Sequence, residues 1–322
     1  MNWHTLKARL GLGGQGSSTP FALPSVVLEL EPDFVAGASL DGAAHQVRRM
    51  GVRELESGWL VPSPNAPNLS NESEVRRAIS EVAKVVGNGS GRLGLVLPDG
   101  AVRVAVLRFE TLPDDRKEAA ALVSWKMREI LSFAPEEARV CYQVFGREAG
   151  SVELLAIAVR NTVLAEYEAA LESVDGGACL ILPATLALLP LLPEDGETSQ
   201  LLIHIFSGSV TTVVVVGNRL RFWRNRVLGR LAPEEASEEL VREVGRVLAT
   251  CDDHLKMELG RVWVCVRPPA PANLREELAR SLGREVSPLA GGGGHAGMLT
   301  APEQELFQRF GMPFAGLVAN LG

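Results

Sequence analysis

The sequence contains few of the residues that build metal centres and disulfides. Its 322 residues include only four cysteines and five histidines. These are Cys141, Cys179, Cys251 and Cys265, and His4, His45, His204, His254 and His295. The cysteines form no CxxC motif, the histidines have no ligand spacing among themselves, and most of the cysteines lie in apolar runs, which favours buried, reduced thiols in a reducing cytoplasm. No Ser-His-Asp or Cys-His arrangement stands out either, so we predict neither a metal site nor catalytic residues.

Long apolar segments and an excess of positive charge are also missing. No uninterrupted apolar run reaches the roughly 20 residues that a transmembrane helix requires. The basic N-terminal stretch lacks the apolar core of an export signal. The formal net charge of −7 argues against a broad nucleic-acid-binding surface. We therefore expect a cytoplasmic protein with no nucleic-acid partner, which reaches a membrane only through another protein.

The pattern of apolar residues divides the chain into two similar halves. Residues 25–97 read as a hairpin, a third strand, a helix at 70–86 and a further strand. Residues 201–267 repeat this order, with a helix at 233–256. Since 46% of the residues are hydrophobic, the chain can build two cores. The repeated order predicts an α/β protein in which two RNase H-like lobes face a cleft.

Extra elements interrupt the first half and predict an inserted β-α-β-β-α subdomain that ends with a helix at 162–173. The N-terminal tail is expected to form a short amphipathic helix or to be disordered. The predicted division of the chain is a tail at 1–24, a first lobe at 25–100, an inserted subdomain at 101–175, a return to the first lobe with a linker at 176–198, and a second lobe at 199–322.

The stretch from residue 91 to residue 146 carries a family resemblance. A strand leads through a turn at Pro98 into an acidic helix with Trp125 in its middle. The chain then leaves through Phe-Ala-Pro and enters a strand that ends in Val-Phe-Gly. This pattern resembles the PilM-type proteins of type IV pilus assembly, although Lys126 and Ser132 depart from it. The resemblance implies an actin-like fold and a place at the cytoplasmic face of the bacterial inner membrane.

The resemblance also implies where an actin-like protein would hold ATP. Each lobe of such a protein carries a hairpin whose acidic residue and glycine organise the metal ion and the phosphates. Here Glu29 keeps the acid of the first hairpin, but Glu31 and Pro32 replace groups that would approach a phosphate. His204 replaces the aspartate of the second hairpin, and Pro268 begins a proline pair where glycines would cover the nucleoside.

We therefore predict an eroded nucleotide site with no ATP hydrolysis and no bound cofactor. Ser209 and Thr211 keep hydroxyls that could contact an anion, so ATP with magnesium remains the less favoured reading. The remnant positions of the site are Glu29, Glu31, His204, Ser207, Gly208, Ser209 and Thr211.

What the resemblance implies instead is a binding role. PilM-type proteins bind the short cytoplasmic N-terminal tail of a bitopic membrane protein, PilN, and connect it to the pilus motor ATPases that drive twitching motility. The tail would lie in a groove between the first lobe and the inserted subdomain. A homo-oligomeric ring within the machine is also expected. The predicted contact residues are Pro98, Arg103, Trp125, Arg128 and Phe133.

Two other classes of protein stay open at this point. One is a nucleotide-binding actin-like ATPase, with a kinase of the same superfold as a weaker version. The other is the cytoplasmic component of a type II secretion system, of the GspL kind, which normally continues into a transmembrane helix.

The remaining conspicuous residues have simpler interpretations. The glycine run at 291–294 predicts a linker rather than a phosphate loop. The acidic group at 252–254 predicts a solvated helix face rather than a metal cluster. The arginines at 219–226 fit a charged sheet edge, which discourages aggregation. Trp125 and His204 are both predicted to lie in the core.

Overall fold

The computed structural model forms two compact units. The first comprises residues 1–191 and 291–322, and the second comprises residues 192–290. The residues that the structure describes are 23–87, 93–148, 150–172, 174, 178–194, 198–217, 219–228, 233–251, 259–267, 274–290 and 293–319.

Up to residue 191, the described part of the first unit contains eight strands and four α-helices. The strands are β1 (Val26–Glu31), β2 (Phe34–Asp41), β3 (Gln46–Glu54), β4 (Leu93–Leu97), β5 (Arg103–Phe109), β6 (Ala138–Glu148), β7 (Ser151–Arg160) and β8 (Ala178–Pro183). The helices are α1 (Glu72–Val86), α2 (Arg116–Met127), α3 (Asn161–Ala170) and α4 (Ala184–Leu188).

The main sheet of this unit has the strand order β3-β2-β1-β4-β8, with β1 antiparallel to β2 and parallel to β4. The helix α1 covers one face of the sheet. The Asn71 side chain caps the helix by accepting from the Glu74 backbone N–H, and Gly87, with φ 93°, ends it. The apolar side of α1 packs on the sheet, where Val75 and Ile79 are both fully buried.

The inserted subdomain is a three-stranded antiparallel sheet in the order β5-β7-β6. One face of it is covered by α2, which buries Val123 and Met127 there. Asp115 begins this helix by accepting from the backbone N–H groups of Lys117 and Glu118, at 2.9 and 3.0 Å.

The sequence predicted that α3 belongs to the inserted subdomain, but the structure places it in the first lobe. Its residues Val163, Leu164 and Tyr167 pack into the same core as α1 and the main sheet. The apolar periodicity of this segment predicts a helix but does not show which sheet the helix covers. The inserted subdomain is therefore β-α-β-β, and α3 completes the first lobe.

The second unit repeats the first sheet. Its strand order is β11-β10-β9-β12-β13, so the same five positions recur in chain order, and the predicted duplication is confirmed. The helices of this unit pack Leu240, Val244 and Leu278 on one face of the sheet. Its elements are β9 (Ser199–Phe206), β10 (Ser209–Val216), β11 (Arg219–Val227), α5 (Pro233–Thr250), β12 (Arg261–Arg267), α6 (Leu274–Leu282) and β13 (Val286–Pro288).

The C-terminal helices return to the first unit, so the prediction that the second lobe extends to residue 322 is wrong. These helices are α7 (Ala301–Phe310) and α8 (Met312–Ala319). A capping box between Thr300 and Glu303 begins α7, and α8 packs against α4. The contact is close, because a Cβ added to Gly316 would lie 1.8 Å from the Ala187 carbonyl oxygen. None of the helices in the described ranges is long and apolar enough to cross a membrane.

Candidate functional site

The first unit contains a small apolar pocket, about 30 Å³ in volume, between its main sheet and the sheet of the inserted subdomain, and we call it the groove. Nine residues line it, five on the wall nearest the main sheet and four on the wall formed by the subdomain. The first wall consists of Leu97, Val102, Ile181, Leu182 and Pro183. The second wall consists of Arg139, Cys141, Ile157 and Val159. A groove of this composition suits an extended segment with apolar side chains.

The first wall is held by hydrogen bonds at the ends of two parallel strands. The strands β4 and β8 pair Leu97 with Pro183. Just beyond this pair, the buried Asp99 carboxylate accepts from the Thr185 backbone N–H at 3.0 Å and also from its hydroxyl. These bonds join the end of β4 to the start of α4. The sequence showed only turn chemistry at Asp99, and only the fold brings it to Thr185.

The second wall exists because β7 is apolar on both faces. Ala156 and Ala158 of β7 pack beneath α2, so Ile157 and Val159 face the opposite way, toward the groove. The neighbouring strand β6 adds Cys141 to the same face. Burial raises the pKa of the Cys141 thiol, although the nearby Arg139 charge acts in the opposite direction. The groove thus holds a half-buried, neutral thiol.

Arg160, next to the groove residue Val159, joins the inserted subdomain to the loop that follows β3. Its Nη1 donates to the Asn65 carbonyl oxygen at 2.7 Å, and its Nε and Nη2 donate to Glu137 Oε2 at 3.0 and 2.7 Å. The guanidinium also lies 5.5 Å from the centre of the Phe133 ring. This one side chain therefore fixes the subdomain wall relative to the first lobe.

None of the five predicted contact residues lines the groove. Pro98 is buried beside Leu97, and Phe133 lies under Arg160. Arg103 is half-buried, and burial lowers its pKa. By strand alternation it shares the α2 side of β5 with Ala105.

Trp125 and Arg128 lie on α2, which covers the face of the subdomain sheet opposite the groove. The Trp125 side chain is 53% exposed, and the Arg128 guanidinium lies 5.6 Å from its ring centre. The prediction that Trp125 is a core residue is wrong, because α2 buries only one narrow stripe. The predicted contact residues thus lie beside and behind the groove. The apolar run on both faces of β7 was the signal that could have identified its wall.

The hairpin of β1 and β2 leaves no open loop for a phosphate. The two strands pair up to Glu31 and Phe34, with Pro32 and Asp33 as the turn. Glu29 and Glu31 are both fully buried. Burial raises the pKa of Tyr167, and the Glu31 and Glu166 carboxylates raise it further. The hairpin thus buries acidic side chains where an actin-like nucleotide site needs a glycine and free backbone N–H groups.

The hairpin of β9 and β10 is equally tight. Ser207 and Gly208 have φ of 39° and 74°, the two-residue turn that matches strand twist, and Phe206 pairs with Ser209 across it. The Ser209 hydroxyl donates to the Phe206 carbonyl oxygen at 3.3 Å. Thr211 is buried and accepts from Asn225 Nδ2 at 2.9 Å. The Ser209 and Thr211 hydroxyls thus both take part in hydrogen bonds within the sheet.

His204, in place of the expected aspartate, bonds to an arginine. It is fully buried, its ring centre lies 4.4 Å from that of Phe206, and its Nε2 accepts from Arg267 Nε at 3.1 Å. The prediction that His204 is a hydrogen-bonded core residue is confirmed. A buried guanidinium is always positively charged and repels a divalent cation. The residues of the two hairpins thus do not fit a magnesium nucleotide, and the proline pair after Arg267 lies outside the described residues.

Other residues singled out in the sequence have ordinary surroundings where the structure describes them. The arginines at 219–226 lie on β11, an edge strand of the second sheet, and Arg224 forms an ion pair with the buried Glu243. Gly293 begins a short 3-10 turn, while residues 252–254 lie outside the described part of the chain. Within the described residues, no group of histidine, cysteine and acidic side chains could hold a metal ion.

Comparison with known proteins finds likeness in structure but not in sequence. No family model matches the chain, and no curated protein matches it. A solved chain of the PilM–PilN type IV pilus biogenesis complex matches with a TM-score of 0.75 at 16% identity, over 93% of this chain and 98% of that one. A Bacteroides thetaiotaomicron protein with an actin-like ATPase fold and unknown function matches at 0.54 and 10% identity, over 96% and 99%.

The cytoplasmic domain of EpsL, an inner-membrane component of the type II secretion system of Vibrio cholerae, matches less well. Its TM-score is 0.47 at 10% identity, over 80% of this chain and 93% of that one. The two better matches establish the fold. This chain has the actin-like fold, as its resemblance to PilM-type proteins predicted.

Proposed function

We propose that this protein is an adaptor of a type IV pilus assembly platform, which binds the cytoplasmic tail of a PilN-like membrane protein in the groove of its first unit. The observation that carries the proposal is the apolar groove itself, with Ile157 and Val159 on one wall and Ile181 and Pro183 on the other. The likeness in fold to a chain of a PilM–PilN complex supports this choice of partner.

The groove suits an extended peptide in particular. Both of its walls include a strand at the edge of a sheet, β8 on one side and β6 on the other. An edge strand can pair with the backbone of a bound segment while alternate side chains enter apolar pockets. We expect micromolar affinity for an isolated tail, about −8 kcal/mol. Anchoring of the partner in the membrane would raise its effective concentration near the adaptor.

The wider role follows from the same proposal. Bound to the tail, the protein would be peripheral to the inner membrane and would link the platform to the pilus motor ATPases. A ring of several copies within the machine is compatible with this role. The buried Arg267 and Glu31 favour a protein that does this without hydrolysing ATP.

The proposal is tested by titrating a labelled synthetic tail of the PilN-like protein from the same genome. We expect Cys141→Trp, which fills the groove from a half-exposed position, to weaken binding by about tenfold or more, because a filled pocket excludes apolar side chains. The matched control is Trp125→Ala, which changes the opposite face of the subdomain and should leave the affinity unchanged.

A second measurement uses Cys141 as a reporter in a Cys179→Ser background. Cys251 and Cys265 are buried, so Cys141 becomes the thiol that reacts fastest with a thiol reagent. The bound tail should slow its modification. If Trp125→Ala abolished binding while Cys141→Trp did not, and both variants had native unfolding curves, the tail would bind the α2 face and not the groove. The proposal would then be wrong.

A further inference from the structure

Arg139 is the charged member of an otherwise uncharged groove lining. It lies on β6 two residues before Cys141 and pairs across the sheet with Val159, and both of these neighbours line the groove. By strand alternation its side chain is on the same face of the sheet as that of Cys141. The side chain itself is exposed.

Two arginines of the inserted subdomain's sheet are held by carboxylates, whereas the groove residue Arg139 is not, within the described part of the chain. Arg108 forms an ion pair with Glu153, and Arg160 forms one with Glu137. Among the residues that the structure describes, no carboxylate pairs with Arg139. A segment that covered this groove would remove water from an uncompensated cation, which is costly unless the segment supplies an anionic acceptor.

We infer that the segment bound in this groove carries a glutamate or aspartate among its apolar residues, at the position that faces Arg139. This inference rests on the proposed function and adds the chemistry of the tail to it. A carboxylate would form charge-assisted, bidentate hydrogen bonds with the guanidinium, in surroundings that become largely apolar on binding. A lysine at the same position would be rejected, since two like charges would be brought together there. Arg139 thus acts as a specificity residue, and the apolar walls supply most of the affinity.

The test uses three series of short synthetic peptides with alternating leucine and isoleucine residues. Within each series one position is scanned, and the scanned residue is glutamate in the first series, glutamine in the second and lysine in the third. At one position we expect glutamate to bind about tenfold more tightly than glutamine, and lysine more weakly than both. The preference for glutamate should disappear in Arg139→Gln and reverse in favour of lysine in Arg139→Glu.

The matched control is Arg128→Gln, which makes the same change in net charge on the opposite face of the subdomain. It should preserve the preference for glutamate. Protection of Cys141 from thiol modification separates the two hypotheses. If no peptide protects Cys141, the groove does not bind tails, and both hypotheses fail. If all three series protect it equally well, or Arg139→Gln keeps the preference, the groove binds tails but the inference about Arg139 is wrong.

Discussion

At the scale of single residues, the pairing of His204 with Arg267 determines the chemistry of the second hairpin. The Arg267 side chain is only 3% exposed, and a guanidinium has donors and no acceptor. His204 must therefore present an unprotonated Nε2 to accept from Arg267 Nε. A neutral imidazole beside a permanent cation can contribute to the stability of the sheet, but it cannot hold magnesium as a carboxylate does.

His204→Ala should destabilise the protein. The substitution removes one acceptor of a buried guanidinium and leaves a cavity beside Phe206, so we expect the free energy of unfolding to fall by about 2–4 kcal/mol. Chemical denaturation followed by fluorescence would measure the change. The control, Arg226→Ala on the exposed end of β11, should cost less than about 0.5 kcal/mol. Equal effects of the two substitutions would show that the His204–Arg267 bond contributes little.

At the scale of secondary structure elements, the contact of α8 with α4 leaves no room for a side chain. Gly316 has no Cβ, and the Ala187 carbonyl oxygen occupies the place where one would lie. The approach of the two helices therefore depends on glycine for space and not for backbone conformation. Since α8 buries nearly all of its apolar residues in the first unit, this contact helps to hold α8 there.

Replacing Gly316 by alanine should force α8 away from α4 and lower the free energy of unfolding by about 1–3 kcal/mol. The same substitution at Gly245 is a matched control, because this glycine lies within α5 and an added Cβ would meet nothing within 4 Å. Gly245→Ala should raise stability by about 0.5–1 kcal/mol, since alanine is the better helix former. Thermal unfolding would measure both, and a loss of stability in both variants would refute the role assigned to the helix contact.

Most of the elements could be predicted from the sequence, because alternation and helical periodicity are local properties. The β1–β2 hairpin and the stripe of α1 were both evident in this way. The packing of α3 was not, since an apolar helix stripe does not reveal which sheet the helix covers. The residues that line the groove could not be read from the sequence for the same reason. Its second wall depends on β7 lying between two layers, and its Asp99–Thr185 bond joins residues far apart in sequence.

At the scale of the whole molecule, the chain keeps the actin-like fold but lacks the residues with which the two hairpins of an actin-like ATPase bind nucleotide. The two sheets keep the duplicated actin-like order, and their hairpins occupy corresponding positions in chain order. In an actin-like ATPase both hairpins contribute to one nucleotide. Here the first hairpin carries buried carboxyl groups, and the second carries a buried histidine that bonds to Arg267 of β12, so neither offers the usual phosphate and metal contacts.

We therefore expect that ATP with magnesium neither binds this protein nor is hydrolysed by it. A ligand raises the melting temperature only by binding the native state, so saturating nucleotide should leave the Tm unchanged. The PilN-like tail is a positive control on the same sample, because it should raise the Tm in the wild type and less so in Cys141→Trp. A rise of several degrees with ATP that Thr211→Ala abolishes would contradict the expectation. It would mean that the second hairpin can rearrange to expose Thr211, at the cost of its bond to Asn225, and would make a nucleotide-responsive ATPase the better reading of this chain.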